Sequence, residues 1–218
     1  MPRVQQQLVL YSVCASNGRK TTIYEESYPT WVNWMDDMLF GQDGLYMVRD
    51  FKTGWQQIYY LSYDGKVLKQ LSDGHNWRVS LCKLNEKTGD VYFTANRDSD
   101  VRSSLYVLDR KGHIKLLSDS LLNVEQVQFA DDFKSFQIRC SSLNSPFELY
   151  TYNLTRNGWT HTVEKPMLKI DPEQYEPSLK YDLVYLTLDY GSRVPAIVSL
   201  PKDFDPSKRY PLVMEIYG

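Results

Sequence analysis

Two stretches that repeat each other decide the fold: IYYLSYDGKVLKQLSDG at Ile58–Gly74 and LYVLDRKGHIKLLSDS at Leu105–Ser120. Each is typical of a β-hairpin, because an aromatic strand is followed by a tight turn with glycine and then by a second strand. A third copy, LYTYNLTRNGWTHTV, occupies Leu149–Val163, and VLYSVCASNGRKTTIY at Val9–Tyr24 is a looser first copy. The middle of the chain is therefore an array of hairpins.

The hairpins recur every 44 to 47 residues, measured between the marker tyrosines Tyr59, Tyr106 and Tyr150. Periods of about 40 to 50 residues are typical of four-stranded propeller blades. The segments between the copies supply the other strands, for example WRVSLCKL at Trp77–Leu84 and SFQIRCSS at Ser135–Ser142. We predict an all-β chain with a partial β-propeller of about three to four blades: three complete blades and a leading hairpin. A β-sandwich also has short strands, but it has no reason to repeat at this period.

Composition narrows the classes of function. The chain has 17 Tyr, 8 Phe and 5 Trp, and its net charge of −2 comes without a basic block, which argues against nucleic acid as a partner. No apolar stretch approaches the roughly 20 residues of a membrane helix. The three cysteines, Cys14, Cys82 and Cys140, are widely spaced, so neither a disulfide framework nor a zinc cluster is indicated. We expect all three to be small buried hydrophobes, and we predict no metal or cofactor.

The pattern changes after Val163. Three prolines without a period predict a linker, and the strands that follow predict the start of a new sheet. Within it, Val194–Leu200 and Leu212–Tyr217 are predicted to be consecutive strands, joined by a polar turn. A sheet that stops there has an unpaired edge, so we expect the sequence to be a piece of a longer chain.

The chain resembles the dipeptidyl peptidase IV branch of the prolyl oligopeptidase family of serine peptidases. The resemblance is carried by WVNW at Trp31–Trp34, GWQQIY at Gly54–Tyr59, LSDGHNWRV around Trp77, SFQIRCSS and, most specifically, LPKDFDPSKRYPLVMEIYG at Leu200–Gly218. It implies an enzyme that releases N-terminal dipeptides, usually after Pro or Ala, through an acyl-enzyme.

The resemblance also implies the domain organisation. It assigns residues 1–165 to the last blades of a propeller, 166–180 to a linker, and 181–218 to the first strands of a truncated α/β-hydrolase domain. In such a parent the propeller walls and gates the substrate cavity. The family's nucleophilic Ser lies in a GxSxG motif, followed by Asp and His. This chain contains no GxSxG, so we expect the fragment to be inactive.

Among catalytic positions, the resemblance matches only Tyr217, in EIYG, to the tyrosine that helps to form the family's oxyanion hole. The histidines His75, His113 and His161 fall on predicted blade strands or turns, and we expect structural roles for them. The adjacent Glu25 and Glu26 look like the family's amine-binding pair, but they lie too close to WVNW. We predict that they are solvated charges at a hairpin end and that the true pair lies upstream.

Two further expectations concern the environment of the protein. In animal relatives the cysteine matching Cys140 is bridged to a neighbouring strand, where this chain has Val127, so we expect no bridge and an origin outside animals. Asn153 begins an N-x-T acceptor sequon. For the parent we expect peptide substrates, a homo-oligomer and an extracytoplasmic compartment such as the periplasm.

Two alternatives stay open. A non-catalytic propeller that binds a ligand or protein shares the repeat, but it has no reason to carry the Leu200–Gly218 segment. An acylaminoacyl peptidase or oligopeptidase shares both features, and an upstream pair of glutamates separates it from a dipeptidyl peptidase.

Overall fold

The computed structural model describes residues 4–143, 145–164 and 179–216. The chain divides into two compact units, residues 1–142 with 147–165 and residues 143–146 with 166–218. The described residues form strands and connecting loops, without a helix. No helix in this part of the chain has the length and apolar character that crossing a bilayer requires.

The strands are β1 (Gln7–Val13), β2 (Lys20–Ser27), β3 (Met38–Phe40), β4 (Gly44–Arg49), β5 (Gln57–Ser62), β6 (Leu68–Gln70), β7 (Val79–Asn85), β8 (Asp90–Ala95), β9 (Ser104–Leu108), β10 (Ile114–Leu116), β11 (Asn123–Phe129), β12 (Ser135–Ser142), β13 (Ser145–Thr155), β14 (Gly158–Glu164), β15 (Leu179–Thr187) and β16 (Arg193–Pro201).

The sheets confirm the predicted fold class. The described strands include three four-stranded sheets, β3–β6, β7–β10 and β11–β14, each with its strands in chain order. The strands of the first two of these sheets pair antiparallel throughout, and in the sheet of β11–β14 the pairs β11–β12 and β13–β14 are antiparallel. The β1–β2 hairpin precedes them, as the sequence predicts for a partial propeller with a leading hairpin. We call the three sheets the first, second and third blades.

The cores lie between neighbouring sheets. On β5, Ile58 packs into the core shared with the second blade, whereas Tyr59 packs against the β1–β2 hairpin. On β9, Tyr106 faces the first blade and Leu105 faces the third. These four side chains are at most 2% exposed. Because successive side chains of a strand point to opposite faces, the third strand of each of these two blades is buried on both sides.

The repeated Leu-Ser-Asp sequence, at residues 71–73 and 117–119, follows the fourth strand of the first two blades and bonds back to the third strand. The Ser72 hydroxyl accepts a hydrogen bond from the Ile58 amide at 2.8 Å, and the Ser118 hydroxyl accepts one from the Leu105 amide at 3.0 Å. Both serines are only 6% exposed. A buried amide without a partner is costly, so the repeated serine satisfies a backbone group at the end of the short fourth strand.

The turn glycines are confirmed, but the third marker tyrosine is corrected. Gly65, Gly112 and Gly158 have φ values of 72°, 91° and 105°, the left-handed conformation that tight hairpins require. Tyr59 and Tyr106 each lie six residues before their turn glycine, and in the third copy that position is Tyr152, not Tyr150. The burial agrees: the Tyr152 ring is stacked on Phe136 just as Tyr106 is stacked on Phe93.

The described residues of the second unit contain one hairpin. Strands β15 and β16 pair from Leu179↔Pro201 to Thr187↔Arg193, which confirms the predicted strand at Val194–Leu200. The predicted strand at Leu212–Tyr217 is wrong for the residues described: 212–216 form no strand, and Val213 is 90% exposed. An apolar, β-prone segment becomes a strand only where a neighbouring strand accepts its hydrogen bonds.

The cysteine predictions are partly wrong. Cys140 is 1% exposed, but Cys82 is only partly buried and Cys14 is exposed on the β1–β2 turn. The residue opposite Cys140 on β11 is Val124, whereas Val127 pairs with Ile138. An irregularity between Val124 and Gln126 shifts the register, and a sequence pattern does not reveal such a bulge.

Candidate functional site

Each blade has two different ends. The hairpin turns within each blade lie at one end, which we call the turn end. The other end, the loop end, carries the connections between blades and the loops between second and third strands: 28–37, 50–56, 71–78, 96–103 and 117–122. Strand β14 also finishes at the loop end of the third blade. Long loops on a rigid scaffold are the usual place for binding residues, so we searched the loop end first.

Four of the five tryptophans lie in these loops. Trp31, Trp34 and Trp77 are 57%, 61% and 65% exposed, and Trp55 is partly buried. The fifth, Trp159, lies on β14 and packs edge-on against the Phe136 ring. Large exposed aromatics that gather at one end of a fold are typical of a binding surface.

The WVNW segment is held by its buried neighbours. Val32 and Met35 are 1% and 6% exposed and belong to the core against the β1–β2 hairpin, so Trp31 and Trp34 point outward. The Val32 amide donates to the Gln5 carbonyl at 2.8 Å. Both indoles therefore point outward because the side chains next to them in sequence are buried in the core.

A buried ion pair lies beneath this segment. Arg49 donates to both carboxylate oxygens of Glu26, at 2.8 and 3.0 Å, and their side chains are only 1% and 8% exposed. Arg49 also donates to the Trp34 carbonyl at 3.4 Å, and the Tyr24 hydroxyl donates to Glu26. The bidentate geometry holds the end of β4 against the end of β2, from which the loop with WVNW begins.

The pKa directions agree with this arrangement. Burial raises the pKa of the Tyr24 hydroxyl strongly, and its hydrogen bond to Glu26 adds to the rise. Burial alone lowers the pKa of Arg49, but the hydrogen bonds and charge of Glu26 outweigh it and raise the pKa. Tyr24 therefore stays protonated and Arg49 stays charged in the folded chain.

The prediction that Glu25 and Glu26 are both solvated is thus wrong for Glu26. Glu25 is exposed and accepts a hydrogen bond from the Gln7 side chain at 2.6 Å. Successive side chains of β2 point to opposite faces, so only Glu26 meets the adjacent blade. Sequence reasoning missed Arg49, and the available signal was an arginine in the alternating strand GLYMVR.

A second aromatic group lies between the first and second blades. The Trp55 and His75 rings are stacked at 4.8 Å, and the Trp77 ring meets Trp55 edge-on at 5.2 Å. Nearby, Asn76 is 2% exposed and its amide group donates to the carbonyls of Gln56 and Asp73. The buried asparagine holds the 71–78 loop against the start of β5, and His75 and Trp77 on either side of it are exposed to solvent.

A polar pocket of 300 Å³ adjoins Trp34 at this end. Its charged wall includes Asp36, Asp37, Asp50 and Arg78. The Asp50 carboxylate accepts a hydrogen bond from Asn33 at 2.8 Å. The pocket offers an indole, carboxylates and a guanidinium, which are groups that recognise polar peptide chains.

Residues 1–147 match the family model described as the dipeptidyl peptidase IV N-terminal region. The chain belongs to the dipeptidyl peptidase IV family.

Relatives of the family align along most of the chain. A probable dipeptidyl peptidase 4 of Aspergillus flavus is 23% identical over 99% of this chain and 29% of its own length. The dipeptidyl peptidase 4 of Bos taurus is 26% identical over 82% of this chain and 24% of its own length. The chain therefore spans less than a third of these relatives.

Solved structures show the same fold. The Porphyromonas gingivalis dipeptidyl peptidase 4 is similar with a TM-score of 0.79 and 19% identity, over 96% of this chain and 30% of that one. TolB from Acinetobacter baumannii is similar with a TM-score of 0.52 and 12% identity, over 89% of this chain and 49% of that one. Blades of this kind thus occur in dipeptidyl peptidase IV family members and outside them.

The remaining predicted positions are not brought together. Tyr217 lies outside the described residues. His75 lies in a loop, His113 bonds Asp109 at 3.0 Å in the β9–β10 turn, and His161 lies on β14 beside Tyr152. Within the described ranges no three His, Cys, Asp or Glu side chains are grouped so that they could hold a metal ion.

Proposed function

We propose that this chain is part of a serine exopeptidase that releases dipeptides, Xaa-Pro or Xaa-Ala, from the N-termini of peptides. The observation that carries the proposal is the family match over residues 1–147, together with dipeptidyl peptidases that align along 99% of the chain. The blades act as a wall and a gate of the substrate cavity, and chemistry belongs to the part of the parent protein that carries the nucleophile.

The domain limits belong to this proposal. Residues 1–165 form the last blades of the propeller, 166–180 are a linker, and 181–218 begin the α/β-hydrolase domain. The division into two compact units at about this point supports it. The loop end supplies exposed tryptophans and a polar pocket, and both suit the polar backbone and apolar side chains of a peptide.

The test compares two proteins. The parent enzyme should release 4-nitroaniline from Gly-Pro-4-nitroanilide, and a serine-directed inhibitor should abolish the release. The polypeptide of residues 1–218 should show no turnover, because a nucleophile and its base are required for acyl transfer. Inhibitor-sensitive turnover by residues 1–218, or no turnover by the parent, would contradict the proposal.

The role of Tyr217 is part of the same proposal. Its hydroxyl donates to the oxyanion of the tetrahedral intermediate, so Tyr217→Phe in the parent should lower kcat by about 100-fold or more. KM should change little, because the donor acts on the transition state and not on bound substrate. Tyr210→Phe, which changes another tyrosine of the same segment, is the matched control. A near-normal kcat for Tyr217→Phe would contradict a role of Tyr217 in the oxyanion hole.

The alternative is a non-catalytic propeller that binds a ligand or protein, and the similarity of the blades to those of TolB favours keeping it in view. Sequencing downstream of Gly218 separates the two: a GxSxG motif supports the peptidase, and a stop codon supports the binding module. A pair of adjacent glutamates upstream separates a dipeptidyl peptidase from an acylaminoacyl peptidase or oligopeptidase.

A further inference from the structure

A second cavity lies at the opposite, turn end of the blades. This interblade groove has a volume of 510 Å³ and runs between the first and second blades. Its walls come from the turns of both blades, at residues 41–44, 86–89 and 109–112. All of these residues belong to one compact unit. The volume is within the range of about 300 to 1,000 Å³ that small-molecule sites occupy.

The floor of the groove is apolar and ordered. Val91 and Leu108 are 1% and 2% exposed, and Leu84 packs against the same core. Above them, Tyr46 and Tyr60 are opposite each other on β4 and β5, with their rings 5.5 Å apart in an edge-on arrangement. The groove therefore combines an aliphatic base with an aromatic wall.

Two glycines, Gly44 and Gly89, leave room at the edge of the groove for the Tyr60 hydroxyl and the Arg110 side chain. A Cβ at Gly44 would lie 2.7 Å from the Tyr60 hydroxyl, so the phenol lies directly over this glycine. A Cβ at Gly89 would lie 2.1 Å from Nε of Arg110, so the arginine crosses the neighbouring turn at van der Waals distance. Each glycine thus allows a hydrogen-bond donor to lie against the backbone at the edge of the groove.

These donors have no partner in the described part of the chain. The hydroxyls of Tyr46 and Tyr60 form no hydrogen bond to any described residue, and Arg110 forms no ion pair there. The positive charge of Arg110 nevertheless reaches Tyr46: burial raises the pKa of this tyrosine, then Tyr60 raises it further, and Arg110 opposes the rise. The guanidinium and the phenol therefore border the same space.

The charged side chains around the groove differ in whether they already have partners. Among its carboxylates, Asp109 already accepts hydrogen bonds from the backbone amides of Lys111 and His113 at 2.8 and 2.9 Å. Asp43 and Glu86 are the other carboxylates at the rim. Three cations, Arg110, Lys111 and Lys69, also line the groove, and their side chains are not paired with any described residue. The three carboxylates and three cations balance in formal charge. The preference for an anion therefore comes from the Arg110 guanidinium and the two phenol donors that border the same space, and not from an excess of charge.

We propose that the interblade groove binds an organic carboxylate with an apolar or aromatic body. Arg110 and the hydroxyls of Tyr46 and Tyr60 hold the carboxylate, and the body of the ligand packs on Leu84 and Leu108. The shared chemistry has two sources, a small free acid and the C-terminal residue of a polypeptide. The site lies at the end of the blades opposite the loop-end tryptophans, and it does not depend on the proposed peptidase activity.

The test uses N-acetyl-L-tyrosine and its amide, which differ only in the negative charge. With the parent protein inactivated by a serine-directed inhibitor, calorimetry should show that the acid binds at least about tenfold more tightly than the amide, as expected for charge-assisted hydrogen bonds. Arg110→Gln and Tyr60→Phe should each reduce this preference. Arg156→Gln, an exposed arginine at the turn end of the third blade, should leave it unchanged.

A hexapeptide that ends in Leu-Tyr identifies the source. Tighter binding of its free acid than of N-acetyl-L-tyrosine assigns the groove to polypeptide C-termini, and equal binding assigns it to small acids. Equal affinity for acid and amide, an absence of binding by both probes, or a preference that survives in Arg110→Gln with an unchanged melting temperature would overturn the proposal.

Discussion

At the scale of single residues, we expect the largest loss of stability from breaking the buried Glu26–Arg49 pair. Arg49 has a 1% exposed side chain, so Glu26→Gln removes the charge that compensates a buried guanidinium. Breaking a pair of this kind typically costs about 3 to 5 kcal/mol. We expect Glu26→Gln to lower the free energy of unfolding by an amount in this range, measured by urea denaturation.

Two further variants show whether the charge itself is the cause. Glu25→Gln alters the exposed neighbour on the same strand and should change the stability by less than about 0.5 kcal/mol. Replacing both partners, as Glu26→Leu with Arg49→Met, should recover most of the loss, because an apolar pair is often as stable as a buried ion pair. Equal effects of Glu25→Gln and Glu26→Gln would contradict the assignment.

At the scale of elements, Gly65 and Gly112 allow a matched comparison of two hairpin turns. Both have positive φ, 72° and 91°, but a Cβ at Gly65 would lie 2.8 Å from the Ile23 carbonyl oxygen, whereas nothing lies within 4 Å at Gly112. Gly112→Ala should cost about 1 to 3 kcal/mol through backbone strain alone. Gly65→Ala should cost more, because it also displaces the first blade from the β1–β2 hairpin.

The measurement is the apparent melting temperature of each variant of residues 1–218, determined by circular dichroism. In a chain of this size about 1 kcal/mol corresponds to a shift of roughly 2 to 4 °C. Gly65→Ala should melt several degrees below Gly112→Ala. Equal melting temperatures would show that the contact with Ile23 relaxes without cost.

At the scale of the whole molecule, we predict that residues 1–218 associate with themselves. Among the described strands, β1 and β2 form a two-stranded sheet, which leaves a strand edge. On β13, Leu154 and Phe147 are 49% and 44% exposed. A symmetric dimer is the commonest way to cover such surfaces.

Light scattering coupled to size-exclusion chromatography tests this prediction at micromolar concentration. The expected mass is larger than the 25.5 kDa of one chain and falls on dilution. A concentration-independent monomer with a cooperative melt would contradict it, because the fragment would then bury its own edges.

The sequence by itself determined the all-β class, the hairpins and most of the strands. These features follow from short-range patterns: alternation, aromatic and β-branched residues, and glycine in turns such as Gly112–His113. It also determined the resemblance to the family, since WVNW and the Leu200–Gly218 segment are contiguous motifs.

The tertiary structure alone decided which partners those elements have. Glu26 is buried because Arg49 approaches from a strand 23 residues away. Cys140 is opposite Val124 because of a bulge, and 212–216 remain unpaired although their composition favours a strand. The interblade groove likewise depends on turns from two blades that lie side by side. Register and packing between distant strands arise from contacts across the fold, so no local pattern of residues encodes them.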